Sequence, residues 1–283
     1  MADSNPRIKV IVATHKEYPM PSDGLYMPLH VGASIPNPAT GKLNDFGYVK
    51  DCIGDNISEK NPQYCELTGL YWAWKHVPAD YLGLVHYRRY FTRHRSIVKR
   101  KSIEEILHEK ILTGSQADAL IEQYRIIVPE KREYFIETLY THYAHTHYAE
   151  HLDEIREIVT RVYPDYLESF DDVMKRTGGY MFNMMIMERS LLDQYCTWLF
   201  TILGELEKWT DRPNYSYYQG RFFGRVAEII FNVWLDYQIK TGVVSENDIK
   251  ELPCILTEKV NWLKKIFAFL QAKFLHKKYE TSF

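Results

Sequence analysis

The sequence is poor in the features that mark disulfide-bonded, membrane-spanning and nucleic-acid-binding proteins. Its four cysteines (Cys52, Cys65, Cys196 and Cys254) lie far apart among 283 residues and form no C-x-x-C pair. The polar start MADSNPR is not followed by the apolar h-region of a signal peptide, and no run approaches the ~20 apolar residues of a membrane-spanning helix. The formal net charge of −2 lacks the basic excess of a general nucleic-acid binder. We therefore expect a cytoplasmic protein with reduced thiols that binds no nucleic acid and does not cross a bilayer by itself.

The common nucleotide-binding loops are also missing, although the composition is that of a folded protein. No G-x-G-x-x-G follows the first predicted strand, and G-x-x-x-x-G-K-[ST] occurs nowhere, so neither a dinucleotide site nor a P-loop is expected. Hydrophobic residues make up 46% and charged residues 25% of the chain, which suits one large α/β domain or two modest ones. The 22 tyrosines suit contacts with sugars, bases or partner proteins, or a tyrosine-rich core.

Strand and helix patterns alternate along the chain. Apolar runs at residues 7–16, 81–86 and 178–189 predict buried strands, and residues 17–62 predict a long functional loop with at most short strands. A helix is predicted over residues 62–77, with Asn61 or Ser58 as its cap, and another over residues 134–162. Further helices are predicted in SIEEILHEKIL, LLDQYCTWLFTILGELEKW and QGRFFGRVAEIIFNVWLDYQI. In ALIEQYRIIVP a predicted helix continues into a strand that ends at Pro129. This alternation predicts an α/β fold with a mainly parallel sheet flanked by helices.

A first polar cluster follows the first predicted strand. Thr14, His15 and Lys16 come directly after a β-branched apolar run. Ligands of α/β sheets gather at the carboxyl ends of strands. These three residues therefore predict contacts with the base or the phosphates of a nucleotide.

A second polar cluster ends the strand over residues 81–86. His86 is followed closely by Arg88 and Arg89. Because a guanidinium matches phosphate geometry bidentately and stays charged, the two arginines beside His86 predict a diphosphate site that needs no metal ion. The alternative is a structural ion pair with an acid such as Glu66 or Asp51.

The second half of the chain carries candidate contacts for a sugar or an acceptor. Gly178 and Gly179 open the strand over residues 178–189 and allow a ligand to approach the backbone. Asn183 is polar within that apolar run, so its amide is expected to bond either the backbone or a substrate.

Further along the chain, Arg221, Arg225 and Glu228 share one predicted helical face, with Tyr218 a turn earlier. A carboxylate near arginines in a cleft suits a general base. An internal ion pair between Arg225 and Glu228 is the alternative.

One motif supports a different class of protein. His147, Glu150 and His151 match H-x-x-E-H, the inverted zinc-protease pattern. On one helix the two histidines would share a face and bind Zn²⁺, with Glu150 as general base and Glu228 at a separation that resembles a third ligand. A zinc metalloprotease is therefore an alternative hypothesis, and a solvated histidine-rich helix or a polar wall for a sugar acceptor are others.

Residues 256–283 differ from the rest and are predicted to form a basic amphipathic helix. A broad apolar stripe alternates with lysines, which fits binding in the plane of an anionic membrane surface. A helix docked on the core or a dimer interface is the alternative. The residues predicted to meet the membrane are Trp262, Lys264, Lys265, Phe267 and Phe274.

Three strings together resemble a known bacterial family. NISEKNPQYCELTGLYWAWKH, DYLGLVHYRRYF and GGYMFNMMIMERSLLDQYCTWLFTILGELE, within residues 7–240, are similar to the capsular and exopolysaccharide biosynthesis glycosyltransferases, a family long described as a domain of unknown function. The resemblance implies a GT-A-like domain over residues 1–255, followed by the membrane-associating tail. The donor diphosphate would contact Thr14, His15, Lys16, His86, Arg88 and Arg89, and the sugar and acceptor pocket would include Gly178, Gly179, Asn183, Tyr218, Arg221 and Arg225.

The chain departs from the usual pattern of GT-A enzymes at one place. Many of them end the strand before the donor site in Asp-x-Asp, which binds Mn²⁺ or Mg²⁺. Here residues 86–89 stand there, and the chain contains no Asp-x-Asp. We therefore expect that no metal ligands are present and that the reaction is metal-independent, with Mn²⁺ or Mg²⁺ as the alternative.

The resemblance also implies the reaction. A hexose, galactofuranose or another, would pass from a UDP-sugar to a growing glycan on a polyprenyl diphosphate at the inner face of the cell membrane, in capsule, exopolysaccharide or O-antigen synthesis. For an inverting transfer a carboxylate must accept the proton of the acceptor hydroxyl, and Glu228 is favoured over Asp171 and Asp172. A membrane-peripheral protein that binds the sugar nucleotide or glycan without turnover is a further hypothesis. The oligomeric state is left open.

Overall fold

A computed structural model of the protein describes residues 6–95, 101–209 and 215–258. The strands are β1 Ile8–Thr14, β2 Tyr26–His30, β3 Val49–Lys50, β4 Tyr81–His86, β5 Arg89–Phe91, β6 Ile126–Pro129, β7 Arg132–Glu133, β8 Gly178–Gly179, β9 Met185–Glu188, β10 Ile249–Leu252 and β11 Cys254–Leu256. The helices are α1 Asn61–Tyr64, α2 Leu67–His76, α3 Ile103–Glu109, α4 Gly114–Ile121, α5 Leu139–Thr146, α6 Glu150–Val162, α7 Leu167–Met174, α8 Arg189–Glu207 and α9 Phe222–Lys240.

The chain divides into two compact units. Unit 1 is formed by described residues within Met1–Glu130, Phe182–Cys196 and Ser245–Glu258. Unit 2 is formed by described residues within Lys131–Met181 and Thr197–Val244. The predicted boundary between residues 255 and 256 stays a prediction, and so does the membrane tail, because residues 259–283 lie outside the described part of the chain.

Unit 1 is built on a sheet in the order β10-β6-β9-β4-β1-β2-β3. Strand β1 pairs in parallel with β2 and β4, and among these seven described strands β9 alone runs against its neighbours. Strand β5 continues β4 as an antiparallel hairpin and pairs with β11. The prediction of an α/β fold with a mainly parallel central sheet is confirmed.

The sheet of unit 1 is buried on both faces, as parallel sheets are. Consecutive side chains from Val10 to Thr14 and from Leu82 to Val85 are buried, so both faces of β1 and β4 pack against other elements. Helices α3 and α4 contribute Ile106, Leu107 and Ala117 to one cluster with these strands, and α2 contacts β1 and β4. The apolar runs of the sequence are continuous because no face of these strands meets water.

A buried carboxylate fixes the loop that follows β2. The Oδ2 atom of Asp51 accepts hydrogen bonds from the Gly32 amide (2.9 Å) and the Thr68 hydroxyl (2.7 Å). Its Oδ1 atom accepts from the Ala33 amide (3.1 Å) and the Ser58 hydroxyl (2.5 Å). Asp51 therefore ties the end of β2, the turn before α1 and the first turn of α2 to one point. We call this group the Asp51 network.

Unit 2 is mainly helical. Helices α5, α6, α7 and α9 pack on one another, and α6 buries Leu152, Ile155 and Val159 at helical spacing. The short pair β7–β8 packs against α9 through Asn232, whose amide bonds the backbone N–H and C=O of Tyr180. None of the described helices is long and apolar enough to cross a membrane.

Three elements predicted as continuous are divided. The helix over 62–77 breaks at Cys65, whose φ of 55° lies in the left-handed region, and α1 and α2 result. The strand over 178–189 breaks at Phe182 and Asn183, which have φ of 80° and 49°. The helix over 134–162 breaks after Thr146. Neither Ser58 nor Asn61 caps the helix as predicted. The Ser58 hydroxyl donates to Asp51, and the Asn61 side-chain amide donates to the Cys65 carbonyl.

Candidate functional site

The two polar clusters predicted at strand ends meet in unit 1. Strands β1 and β4 are parallel neighbours, and Ala13 lies opposite His86 in their register. The residues that follow each strand therefore emerge at the same edge of the sheet. Thr14 shapes its own turn, because its hydroxyl donates to the Lys16 carbonyl at 2.6 Å.

Basic side chains surround Tyr87 at this edge. The Lys16 Nζ atom lies 5.1 Å from the centre of the Tyr87 ring, and the Arg88 Cζ atom lies 5.2 Å from it. The rings of His15 and Tyr18 meet the Tyr87 ring edge-on, at 5.6 and 4.9 Å between centres. Two cations near one ring repel each other, and an anionic ligand relieves that repulsion. We call these five residues the Tyr87 cluster.

The segment after β11 closes one side of the Tyr87 cluster. The hydroxyls of Tyr18 and Thr257 lie 2.8 Å apart, and the Arg88 guanidinium pairs with Glu258 at 3.2 Å. Burial raises the pKa of Tyr18, so its phenol is neutral at ordinary pH. Arg88 therefore pairs with Glu258, and neither Asp51 nor Glu66 is its partner as the sequence alternative proposed. Because this pair is exposed, its contribution to stability is small.

A second group lies around the turn before β9. The His86 Nε2 atom donates to the Phe182 carbonyl at 2.5 Å, and the Arg89 Cζ atom lies 3.7 Å from the centre of the Phe182 ring. The Asn183 amide donates to the Glu66 carboxylate at 2.6 Å. We call these five residues the Glu66 cluster. It combines a carboxylate, an imidazole and a guanidinium within unit 1.

The chemistry of His86 differs from the role predicted for it. Burial lowers its pKa, and the nearby arginines lower it further, against the opposing effect of Glu66. The imidazole is therefore neutral at physiological pH, with its Nε2–H held by the Phe182 carbonyl. In the Tyr87 cluster, Lys16 and Arg88 supply the positive charge, and His86 positions the turn before β9.

Sequence reasoning missed several members of these clusters. Glu66 was considered only as an ion-pair partner of the arginines, and Tyr18 and Phe182 were not considered. Glu66 stands directly before α2 at the sheet edge, which is a signal that the sequence offered. Tyr18 lies in a segment rich in Pro and Gly, and only its contact with Tyr87 reveals it.

The predicted sugar and acceptor residues are divided between the two units. Asn183 belongs to unit 1, whereas Gly178 and Gly179 form β8 in unit 2, so the prediction of one strand through all three is wrong. A side chain at Gly179 would meet the Asn232 amide at 3.0 Å, and one at Gly178 would meet the Glu133 carboxylate. The close packing against Asn232 therefore accounts for Gly179, whereas the Glu133 side chain that faces Gly178 is exposed.

Other predicted residues lie at the start of α9 in unit 2. Arg225 donates to the Tyr218 carbonyl at 2.6 Å, and its Cζ atom lies 4.1 Å from the centre of the Tyr218 ring. Arg221 closes the 3-10 turn before α9, and Glu228 is half-buried nearly two turns into the helix. The alternative of an ion pair between Arg225 and Glu228 is not observed, since Arg225 bonds Tyr218 instead.

The two other predicted carboxylates form surface ion pairs on α7. Asp171 accepts two hydrogen bonds from Arg156, at 2.7 and 2.9 Å, and Asp172 accepts one from Lys240 at 2.7 Å. These partners lower the pKa of both carboxylates. A carboxylate held in its charged form by a cation accepts a proton less readily.

The H-x-x-E-H motif does not form the helix that zinc proteases require. His147 ends α5, whereas Glu150 and His151 begin α6, so the two histidines do not share one helical face. The side chain of His147 bonds Gln219, and both ring nitrogens of His151 bond tyrosine hydroxyls, those of Tyr143 and Tyr215. The expected zinc arrangement is therefore wrong, and these histidines belong to a buried aromatic network.

No Asp-x-Asp stands at the end of β4, and the metal independence of the reaction stays a prediction. This edge carries Lys16, Arg88 and a neutral His86, and its two carboxylates, Glu66 and Glu258, bond Asn183 and Arg88. Within residues 6–95, 101–209 and 215–258, no three His, Cys, Asp or Glu side chains gather in a group that could hold a metal ion.

The fold is that of a glycosyltransferase structure. The chain is similar to the structure titled "WbbM bifunctional glycosyltransferase apo structure", with a TM-score of 0.78 and 28% identity over 89% of this chain and 45% of that one. The family model described as "Domain of unknown function (DUF4422)" matches residues 9–239, and the chain belongs to this family. No curated protein matches it. The family resemblance and the fold class are thereby confirmed, and the chain spans less than half the length of the matched structure.

Proposed function

We propose that the protein is a glycosyltransferase that moves a hexosyl group from a UDP-sugar to a lipid-linked glycan acceptor. The observation that carries the proposal is the Tyr87 cluster, two cations around one aromatic ring at the carboxyl edge of a sheet whose fold matches a glycosyltransferase. UDP-galactofuranose and other UDP-hexoses are the candidate donors. The acceptor would be a growing capsular, exopolysaccharide or O-antigen glycan on a polyprenyl diphosphate.

The charge flow of the reaction assigns a role to the Tyr87 cluster. Breaking the anomeric C–O bond develops positive charge on the sugar and negative charge on the departing diphosphate. Lys16 and Arg88 would stabilise that negative charge, as preorganised groups do when they lower a barrier. Arg89 would contribute from its position over the Phe182 ring. The reaction would thus proceed without a divalent cation.

The acceptor hydroxyl must lose a proton as the new bond forms. Glu228 is our candidate for the general base, because its helix α9 also carries Arg225 and follows directly on Arg221. The neutral His86 and the Glu66 carboxylate would orient the turn that carries Asn183 beside the donor. The protein would act at the inner face of the cell membrane, where the lipid-linked acceptor is found.

Nucleotide binding tests the proposal first. We expect UDP, in the presence of EDTA, to stabilise the folded protein by ~2.7 kcal/mol at 100 times its dissociation constant, because the ligand binds only the native state. The Lys16→Ala/Arg88→Ala variant should lose most of this stabilisation, because it lacks both cations around Tyr87. Thermal unfolding with UDP, GDP and CMP, each with EDTA or Mn²⁺, measures the effect.

A matched variant controls for the loss of positive charge. Lys42→Ala/Arg95→Ala removes two exposed cations of unit 1 that belong to neither the Tyr87 cluster nor the Glu66 cluster, and should keep the response to UDP. Stabilisation only in Mn²⁺ would contradict the metal-independent reaction. No response to any nucleotide would contradict the donor site, and UDP binding without transfer to any glycan would favour a binding protein.

The assignment of the base is tested by a second variant. Glu228→Gln should lower the rate of transfer by roughly 10²-fold or more, because the loss of general-base catalysis typically costs that much. Its response to UDP should be unchanged. Asp171→Asn and Asp172→Asn serve as controls and should stay within a few-fold of the wild-type rate. Full activity in Glu228→Gln would assign the base to another residue.

A further inference from the structure

Unit 2 presents two adjacent apolar side chains to solvent. Phe135 is 84% exposed and Ile136 is 73% exposed, and they are the only consecutive large apolar residues with such exposure among the described residues. They lie between β7 and α5. Isolated exposed apolar residues are common on protein surfaces, but a protruding pair marks a contact site.

The turn that carries the pair is strained. Phe135 has a φ of 58°, and the Ile136 amide donates to the Tyr134 carbonyl at 2.6 Å, two residues back. This is the pattern of a γ-turn with positive φ at its centre, which is rare for a residue with a side chain. Such strain persists only where the surroundings impose it, and it concentrates at functional positions.

Both ends of the turn are anchored. The Tyr134 amide donates to the Thr177 carbonyl at 2.7 Å, and its ring stacks on His142 with 3.9 Å between centres. On the other side, the buried Glu137 carboxylate bonds the Nδ1 atoms of His142 and His145, at 2.9 and 2.8 Å. These contacts hold the turn in one conformation, and in that conformation the side chains of Phe135 and Ile136 are exposed to solvent.

The size of the pair decides which partner it suits. Two side chains of this kind offer roughly 300 Å² of apolar surface, whereas a stable protein interface needs about 800 Å² from each partner. A bilayer has no such minimum, since each apolar side chain that enters it contributes independently. A second copy of the chain or another protein is therefore the weaker candidate.

The charges near the turn fit an anionic membrane surface. Lys131 and Arg132 precede the pair, and Glu137 is withdrawn from solvent by its two histidines. Between Arg132 and the apolar pair, Glu133 is the one exposed acid, so the exposed residues of this segment carry a small net positive charge. Lysine and arginine at this depth meet lipid headgroups while the apolar pair reaches the acyl region.

We propose that the turn at Phe135 and Ile136 inserts into the surface of an anionic bilayer and orients unit 2 on the membrane. This inference rests on the proposed function, since a lipid-linked acceptor requires the protein to work at a membrane, but it concerns a different part of the chain from the predicted tail. It adds a contact point that does not depend on residues 259–283.

Vesicle binding by the full chain tests the insertion. Phe135→Ser/Ile136→Ser should weaken partitioning onto phosphatidylglycerol-containing vesicles by about 10-fold, because the apolar surface that this turn inserts is lost. Leu43→Ser/Ile53→Ser removes two exposed apolar side chains from unit 1 and should bind as the wild type does. Equal binding by both variants would overturn the proposal. So would equal binding of the wild type to purely zwitterionic vesicles.

Fluorescence quenching measures the contact between position 135 and the bilayer directly. Phe135→Trp should show additional fluorescence quenching by brominated lipids over the wild type, and Leu43→Trp should not. The absence of extra quenching at position 135 would overturn the insertion. Stabilisation by UDP should be the same in Phe135→Ser/Ile136→Ser as in the wild type, so failure of the donor site and failure of the membrane contact give different results.

Discussion

Replacing Asp51 with alanine should lower the free energy of unfolding by about 4 kcal/mol, because four buried donors lose their acceptor at once. The carboxylate is fully buried and accepts from two backbone amides and from the hydroxyls of Ser58 and Thr68. Each donor left without a partner costs about 1–3 kcal/mol, less what water recovers in the space left behind. Urea unfolding followed by tryptophan fluorescence measures the change.

Two further variants make the Asp51 experiment decisive. Asp51→Asn keeps the shape but places an NH₂ group against donors, so it should still cost about 2 kcal/mol or more, and it remains measurable if the alanine variant does not fold. Asp45→Ala removes an exposed carboxylate that pairs with Lys50 at 3.3 Å, and should change stability by less than about 1 kcal/mol. A loss below that level in Asp51→Ala would mean that the network does not stabilise the loop.

Acidification should destabilise the protein well before its carboxylates titrate. Burial lowers the pKa of His142 to about 4, and also lowers the pKa of His30, His86 and His147. In the unfolded chain a histidine binds its proton near pH 6.5. Between pH 6.5 and about 4 the unfolded state therefore holds more protons than the folded state, and stability falls as the pH falls.

The size of the acid effect can be bounded from His142. At two pH units below 6.5, this one group lowers the free energy of unfolding by about 3 kcal/mol, and the other three histidines lower it further. Urea unfolding at pH 7.0, 5.5 and 4.5 measures the loss. His142→Gln should flatten the dependence on pH, whereas His108→Gln removes an exposed histidine and should not. Constant stability from pH 7.0 to 4.5 would contradict the neutral state of these histidines.

The strand ends were the most predictable part of the site. Apolar runs identify β1 and β4, and the rule that ligands gather at carboxyl ends brings Thr14, Lys16 and Arg88 to one edge of the sheet. This prediction succeeds because parallel strands pair in the buried centre of a sheet, and continuous apolar runs in the sequence mark buried strands. The partners of these residues could not be predicted in the same way. Glu258 reaches Arg88 from a position 170 residues away in the chain.

Breaks within elements were the least predictable part. Helical periodicity runs through Cys65 and strand periodicity runs through Phe182, yet both residues adopt positive φ, which the sequence does not signal without a glycine. The division between α5 and α6 is similar, since His147 follows a regular pattern and still ends a helix. In each case tertiary contacts outweigh local preference, and at Phe182 the result is the turn that holds Asn183 beside Glu66.

The segment after β11 affects how shortened forms of the protein should be interpreted. Thr257 bonds Tyr18, and Glu258 pairs with Arg88, so the last described residues are part of the wall of the Tyr87 cluster. A deletion that starts after Glu258 removes only the predicted tail, whereas one that starts at Cys254 also removes β11 and both contacts. Activity lost in the longer deletion alone would reflect damage to nucleotide binding, even if both shortened forms leave the membrane equally.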